Sequence, residues 1–204
     1  MRSVILLVRH AETDAVGVRL TSRQPGVTLN ARGCRQVTEV CRYLHDVPLA
    51  AIYSSPLERA VATASPIAAA HGLDVRTLDA LNEVDFGEWT GLTFDELSKL
   101  PGWRRFNECR GSAEVPRGER ASDVQRRIVA ALDDLRRHHE AQVIAAVSHA
   151  DVIRAAVLSV TATPLDDWHR FEISPASITT IAYEDGNPNL VAVNVTGRPP
   201  VYDT

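Results

Sequence analysis

Cysteine is scarce in this chain of 204 residues. Cys34, Cys41 and Cys109 are the three present. An odd number with no Cys-x-x-Cys spacing argues against a disulfide framework and against a zinc site. Long apolar runs are missing too. The run Val4–Val8 is too short for a signal-peptide core or a membrane span, and Arg9 closes it at once. The expectation is a cytoplasmic protein with reduced thiols. No charge of one sign dominates: the net charge of −4 gives no ground for a nucleic-acid or membrane partner. Neither an internal repeat nor a linker divides the chain, so a single domain over 1–204 is expected. What is present is ordinary globular composition, 45% hydrophobic and 24% charged, which allows a substantial core.

Three short runs rich in Val, Ile, Leu and Ala read as strands buried on both faces: Val4–Val8, Leu49–Tyr53 and Val143–Val147. Helical periodicity separates them. Cys34, Val37, Cys41 and Leu44 mark one helix face, with Asn30 as N-cap and the two cysteines as small core residues. Ser55 to Glu58 reads as a capping box with Pro56 at the first helical position, and Pro66 should kink the helix that follows. A short strand is expected near Val75. Ser122 to Gln125 reads as a second capping box, ahead of the face Val124, Ile128, Ala131, Leu132 and Leu135. A helix after Ser148, a short helix from Pro164, and strands at Ile178–Tyr183 and Leu190–Val195 complete the pattern. The fold class is therefore α/β, a three-layer α/β/α sandwich with a mostly parallel central sheet. Residues 80–118 break the rhythm. This insertion, with Trp103, Phe106 and several arginines, reads equally as a lid over a site or as a solvated face over a satellite cluster. The Pro-rich end, 198–204, is expected to be loose, and the last strand is a possible edge for a homodimer.

Each buried strand delivers a charged or imidazole group near its carboxyl end, where open α/β sheets keep their ligand sites. The first gives Arg9 and His10, the second Arg59, and the third His149. A single Arg or His after a strand is more often structural. Two arginines and two histidines converging on one crevice repel one another, and a bound dianion compensates them, because guanidinium forks match phosphate oxygens. Arg59 also lies in the first turn of its helix, where a cation opposes the helix dipole.

Arg9-His10-Ala11-Glu12-Thr13 closely resembles the RHGET signature of the histidine phosphatase superfamily, also called phosphoglycerate mutase-like. Further similarity follows in order: Ser54–Ala60 with Thr63-Ala64, Glu83 with Phe86–Gly91, Gly118-Glu119, and Ser148-His149-Ala150. The resemblance spans about Val4 to Arg154 and is strongest to small bacterial phosphatases and probable phosphomutases. It implies a phosphohistidine on His10, a phosphate pocket of Arg9, Arg59 and His149, and Glu83 as general acid and then base. It further implies no metal and no cofactor, a small phosphorylated metabolite as substrate and inorganic phosphate as product.

The chain departs from that pattern in places. Ala11 and Ala150 replace glycines, each expected to narrow the pocket slightly, and Val16 replaces a polar pocket residue. Arg23 stands about where relatives carry a GR pair and is a candidate substitute cation, joining Ala150 as a substrate-binding residue. A phosphoglycerate-type mutase is the alternative function. A non-catalytic phosphate-binding regulatory module is the second alternative, opposed by the presence of His10, Glu83, His149 and both arginines.

Overall fold

The computed structural model describes residues 2–196; the end expected to be loose, 198–204, lies outside them. Four strands are parallel: β1 (Arg2–Arg9), β2 (Leu49–Ser54), β3 (Val75–Thr77) and β4 (Val143–Ser148). Two antiparallel strands, β5 (Ile178–Glu184) and β6 (Asn187–Val195), extend the sheet beyond β1, giving the order β3-β2-β4-β1-β5-β6. Side chains alternate across a strand, and in β1 both sets are apolar. Leu6 and Val8 pack under α1 (Ala31–Leu44) and α2 (Glu58–Ala70). Ile5 and Leu7 pack under α5 (Ala121–His138) and α6 (Ala150–Val160). The result is the expected three-layer α/β/α sandwich with a mostly parallel sheet.

Several local expectations are corrected. Asn30 does cap α1, its Oδ1 accepting from Gly33 N–H at 2.8 Å. The buried face of α1, however, is Gly33, Val37, Val40 and Leu44, and Cys34 is exposed. The apolar stripe is turned by one residue, because a glycine rather than a cysteine faces the sheet. Neither capping box forms. The helix α2 starts at Glu58 with Leu57 as N-cap, and α5 starts at Ala121 with Arg120 as N-cap, without a side-chain cap in either case. Ser55 Oγ accepts from Leu57 N–H at 3.3 Å, one residue ahead of the helix, rather than from the first turn. Helix α2 continues through Pro66 to Ala70.

Gly33 sets how closely α1 approaches the loop after β1. A Cβ there would come within 2.2 Å of the Glu12 carbonyl oxygen, which is backbone and cannot swing aside. Alanine is the better helix former by about 1 kcal/mol. Overpacking against backbone nonetheless costs about 1–3 kcal/mol, so Gly33→Ala should lower the melting temperature rather than raise it. A calorimetric scan checks this.

The insertion is part of the main core. Between β3 and α5, the helices α3 (Phe94–Ser98) and α4 (Pro101–Glu108) bring Leu97 and Phe106 into the same apolar cluster as Ile5 and Leu7. Phe86, Trp89, Trp103 and Phe106 stack there with ring centroids 5.4–6.3 Å apart. These residues form a packed wall beside the carboxyl ends of the strands, not a satellite cluster.

Candidate active site

The parallel register decides what meets at the sheet's edge. Arg9 on β1 is paired with Ser148 on β4, so the next residues, His10 and His149, leave two neighbouring strands side by side. Their ring centroids are 5.1 Å apart, close to the ordinary spacing between strands. On the far side of β4, the end of β2 places Ser54 level with Val147, and Ser55 N–H donates to the Val147 carbonyl at 2.9 Å. Three adjacent carboxyl ends thus feed one crevice.

His10 is buried and fixed at both ends. Its backbone N–H donates to the Ser148 carbonyl at 2.9 Å. Its Nδ1 lies 2.8 Å from the Ala11 carbonyl oxygen. A carbonyl only accepts, so Nδ1 carries the proton and Nε2 keeps its lone pair. Burial, then the charges of Arg9 and Arg59, push the His10 pKa down to about 3. The imidazole is therefore neutral at ordinary pH. The following residue is locked by Thr63: Ala11 N–H donates to Thr63 Oγ1 at 3.0 Å, and Thr63 Oγ1 donates to the Arg59 carbonyl at 2.7 Å. Ala11 keeps a negative φ and packs its methyl group into the core under α1 and α2. It does not line the cavity, so the expected narrowing at this position is absent.

Arg59 is 1% exposed, and Arg9 lies partly buried beside it. Arg59 Nη2 donates to the Ser22 carbonyl at 2.7 Å, and Arg9 Nη1 to the Ile173 carbonyl at 2.6 Å. Each guanidinium is thereby oriented by one neutral acceptor and retains its charge for something else. Arg59 Nε and Nη1, Arg9 Nε and His149 Nδ1 are buried with no hydrogen-bond partner among the described residues. His149 Nε2 lies 2.8 Å from Ser55 Oγ, which also accepts from Leu57 N–H at 3.3 Å. Burial, His10 and the arginines hold the His149 pKa well below its usual value.

Glu83 approaches from the insertion. Its Oε2 is 3.7 Å from His149 Nδ1, and its Oε1 accepts from Val84 N–H at 2.9 Å. Desolvation, reinforced by Asp151, raises its pKa to about 7 against the opposing pull of Arg59. Its backbone is clamped. Arg23 Nε and Arg127 Nη2 both donate to the Glu83 carbonyl, at 2.8 and 3.3 Å. Glu119 pairs with both cations, at 2.7 Å to Arg23 and 3.0 Å to Arg127. Arg23 is thus part of the support of Glu83 and not of the cavity wall. Glu119 belongs to the Gly118-Glu119 motif, but Arg127 and the pairing between them are not signalled in the sequence, since they depend on a loop and a helix meeting in space.

The cavity over these groups holds about 250 Å³ and is bordered by Arg9, His10, Arg59, Glu83, Ala150 and Asp151 and also by Val16 and Trp103, with His149 buried outside this lining. A larger groove, about 650 Å³, runs along α1 and the segment Ser174–Ala176, but His10, Arg59 and Glu83 lie outside it. The chemistry therefore sits in the smaller space.

Comparison with known proteins shows the family and the fold. The family profile described as histidine phosphatase superfamily, branch 1, matches residues 5–196. Phosphoserine phosphatase 1 of Hydrogenobacter thermophilus is 31% identical over 194 residues, which cover 94% of this chain and 92% of that protein. Among solved structures, YhfR of Bacillus stearothermophilus superposes with a TM-score of 0.88 at 27% identity, covering 93% of this chain and 96% of that one. The phosphoserine phosphatase of Entamoeba histolytica in complex with 3-phosphoglyceric acid gives 0.86 at 27% identity, covering 95% of this chain and 98% of the other.

Proposed function

Because this chain belongs to the histidine phosphatase superfamily, branch 1, we propose that it hydrolyses a small phosphomonoester through a phosphohistidine on His10. The observation that carries the reading is the set of unpartnered, buried nitrogens on Arg9, Arg59 and His149 around a histidine whose Nδ1 is bonded to the Ala11 carbonyl, leaving Nε2 its lone pair.

The phosphoryl oxygens take up those donors. In this reading the Ser55 Oγ–H turns from Asn82 Oδ1, 3.4 Å away, to His149 Nε2 at 2.8 Å, which leaves the His149 proton on Nδ1, facing the anion. His10 Nε2 attacks phosphorus, the N–P bond forms, and the bond to the leaving oxygen breaks. Glu83, protonated in the empty site up to about pH 7, gives its proton to that oxygen. The Ala11 carbonyl, accepting from Nδ1–H, stabilises the positive ring of the phosphohistidine. Water then attacks phosphorus, Glu83 takes its proton, and His10 is regenerated as inorganic phosphate leaves. Little covalent help is needed beyond alignment and charge, which the two guanidinia supply. The substrate is a small phosphorylated metabolite.

The test is phosphate release from a panel of phosphomonoesters, run beside an isomerisation assay on 3-phosphoglycerate. Phosphate release should exceed isomerisation by at least about tenfold, a difference of about 1.4 kcal/mol between the barriers for water and for a returning hydroxyl. Isomerisation faster than hydrolysis would establish the mutase instead.

A further inference from the structure

The loop between β1 and α1 meets the insertion at one strained residue. Ser22 has a φ of 47°, in the left-handed region that favours glycine, and it is 2% exposed. Its carbonyl oxygen accepts from Arg59 Nη2 at 2.7 Å. Its hydroxyl turns the other way, donating to the Val84 carbonyl at 2.9 Å and accepting from Phe86 N–H at 3.0 Å. One residue thus bonds both the cation on α2 and the loop that carries Glu83. Backbone strain of this kind persists only where the surroundings over-determine it.

The place of those bonds matters. Val84 N–H donates to Glu83 Oε1 at 2.9 Å. The residue whose N–H aims the carboxyl is therefore the one whose carbonyl the Ser22 hydroxyl holds. Arg23 and Arg127 grip the carbonyl of Glu83 itself. They fix the main chain on one side of Val84, and Ser22 fixes it on the other. Without the hydroxyl, backbone groups of the buried residues Val84 and Phe86 lose a partner, and the loop must turn to find others. Arg59 need not move, because its anchor is the Ser22 backbone. Nor should the loop detach. Further out, Leu20 N–H donates to the Leu92 carbonyl at 2.9 Å, Gly91 N–H to the Leu20 carbonyl at 2.7 Å and Phe94 N–H to the Val18 carbonyl at 3.1 Å.

We propose that Ser22 is a positioning residue for proton transfer. Its hydroxyl sets the direction of the Glu83 carboxyl through Val84, while its backbone carbonyl sets Arg59, so the acid and the phosphate-binding cation keep one spacing. Ser22 itself forms no bond with the reacting atoms. This deepens the phosphatase reading above and rests on its assignment of Glu83. Displacing the acid impairs proton donation and leaves phosphate binding and nucleophilic attack intact.

The experiment measures Ser22→Gly, Glu83→Gln and the double variant against the wild type. The substrates are p-nitrophenyl phosphate and the alkyl phosphate hydrolysed fastest in the panel above. Glycine suits the left-handed backbone, so the Arg59 anchor is kept and only the hydroxyl goes. Ser22→Gly should lower kcat on the alkyl ester at least about tenfold, with KM and the inhibition constant of inorganic phosphate within about threefold. The loss on p-nitrophenyl phosphate, whose leaving group needs no acid, should be less than about threefold. In the Glu83→Gln background the same substitution should slow the alkyl ester less than about twofold, because it acts through a group already removed. An equal loss on both esters, an undiminished loss in the Glu83→Gln background, or an unchanged kcat overturns the proposal. Should Ser22→Gly fail to fold, Ser22→Ala, which also lacks the hydroxyl, decides by the same ratios. Equal losses on both esters in Glu83→Gln, or no phosphate release from any ester, overturn the reading of Glu83 and this proposal with it. A leaving-group split in Glu83→Gln without one in Ser22→Gly overturns this proposal alone.

Discussion

His10→Ala is expected to lower kcat for phosphate release by at least about 10⁴-fold, on aryl and alkyl phosphates alike. The loss should be this large because no other group occupies the line of attack. His149 stands beside His10, but its Nε2 is engaged with Ser55 Oγ, so it cannot substitute. The arginines bind and stabilise without forming a bond. Affinity for inorganic phosphate should persist in the variant, since Arg9, Arg59 and His149 remain in place. Steady-state rates on p-nitrophenyl phosphate together with calorimetric titration of phosphate check both halves. A His10→Ala protein that keeps its turnover would remove the nucleophile from the account.

Glu83→Gln should separate substrates by leaving group. An alkoxide cannot depart without a proton, so alkyl phosphates should slow about 10²–10⁴-fold. p-Nitrophenolate needs no acid, and the loss on its ester should be much smaller. The pH dependence carries the same signature. The protonated carboxyl is the donor and exists below its pKa of about 7, so wild-type kcat/KM on alkyl phosphates should fall as pH rises through that value. His10 attacks only when neutral, which holds above about 3, so the acid limb lies far lower. The alkaline limb should vanish in Glu83→Gln. Equal losses on aryl and alkyl esters, or an unchanged alkaline limb, would strip Glu83 of this role. The clamp explains why a carboxyl can be held here at all. Arg23 and Arg127 grip the Glu83 carbonyl, while Glu119 balances their charge, so the side chain is positioned without being ion-paired to them.

The strands and the groups at their ends were legible because both rest on local chemistry. An apolar run closed by Arg9-His10 has one sensible place in an α/β sheet, and the same holds for the run before Ser148-His149. Their proximity then follows from two strands becoming neighbours. Where a side chain had two possible partners, sequence could not choose. Ser55 satisfies the pattern of a helix cap, yet its hydroxyl meets His149 and the Leu57 N–H, and the helix begins three residues later. Cys34 and Gly33 both sit near the apolar stripe of α1, and only the approach of the Glu12 backbone decides that the glycine faces inward. Arg23 looked like a pocket cation because it lies among pocket residues, but Glu119, from a remote turn, claims it.

The account stands most directly on the covalent intermediate. Rapid mixing with a good phosphomonoester substrate, quenching at alkaline pH and peptide mass spectrometry should find one phosphoryl group, located on His10 and absent from His10→Ala. Steady turnover with no phosphorylated enzyme at any mixing time, or a phosphoryl group on a residue other than His10, would contradict it.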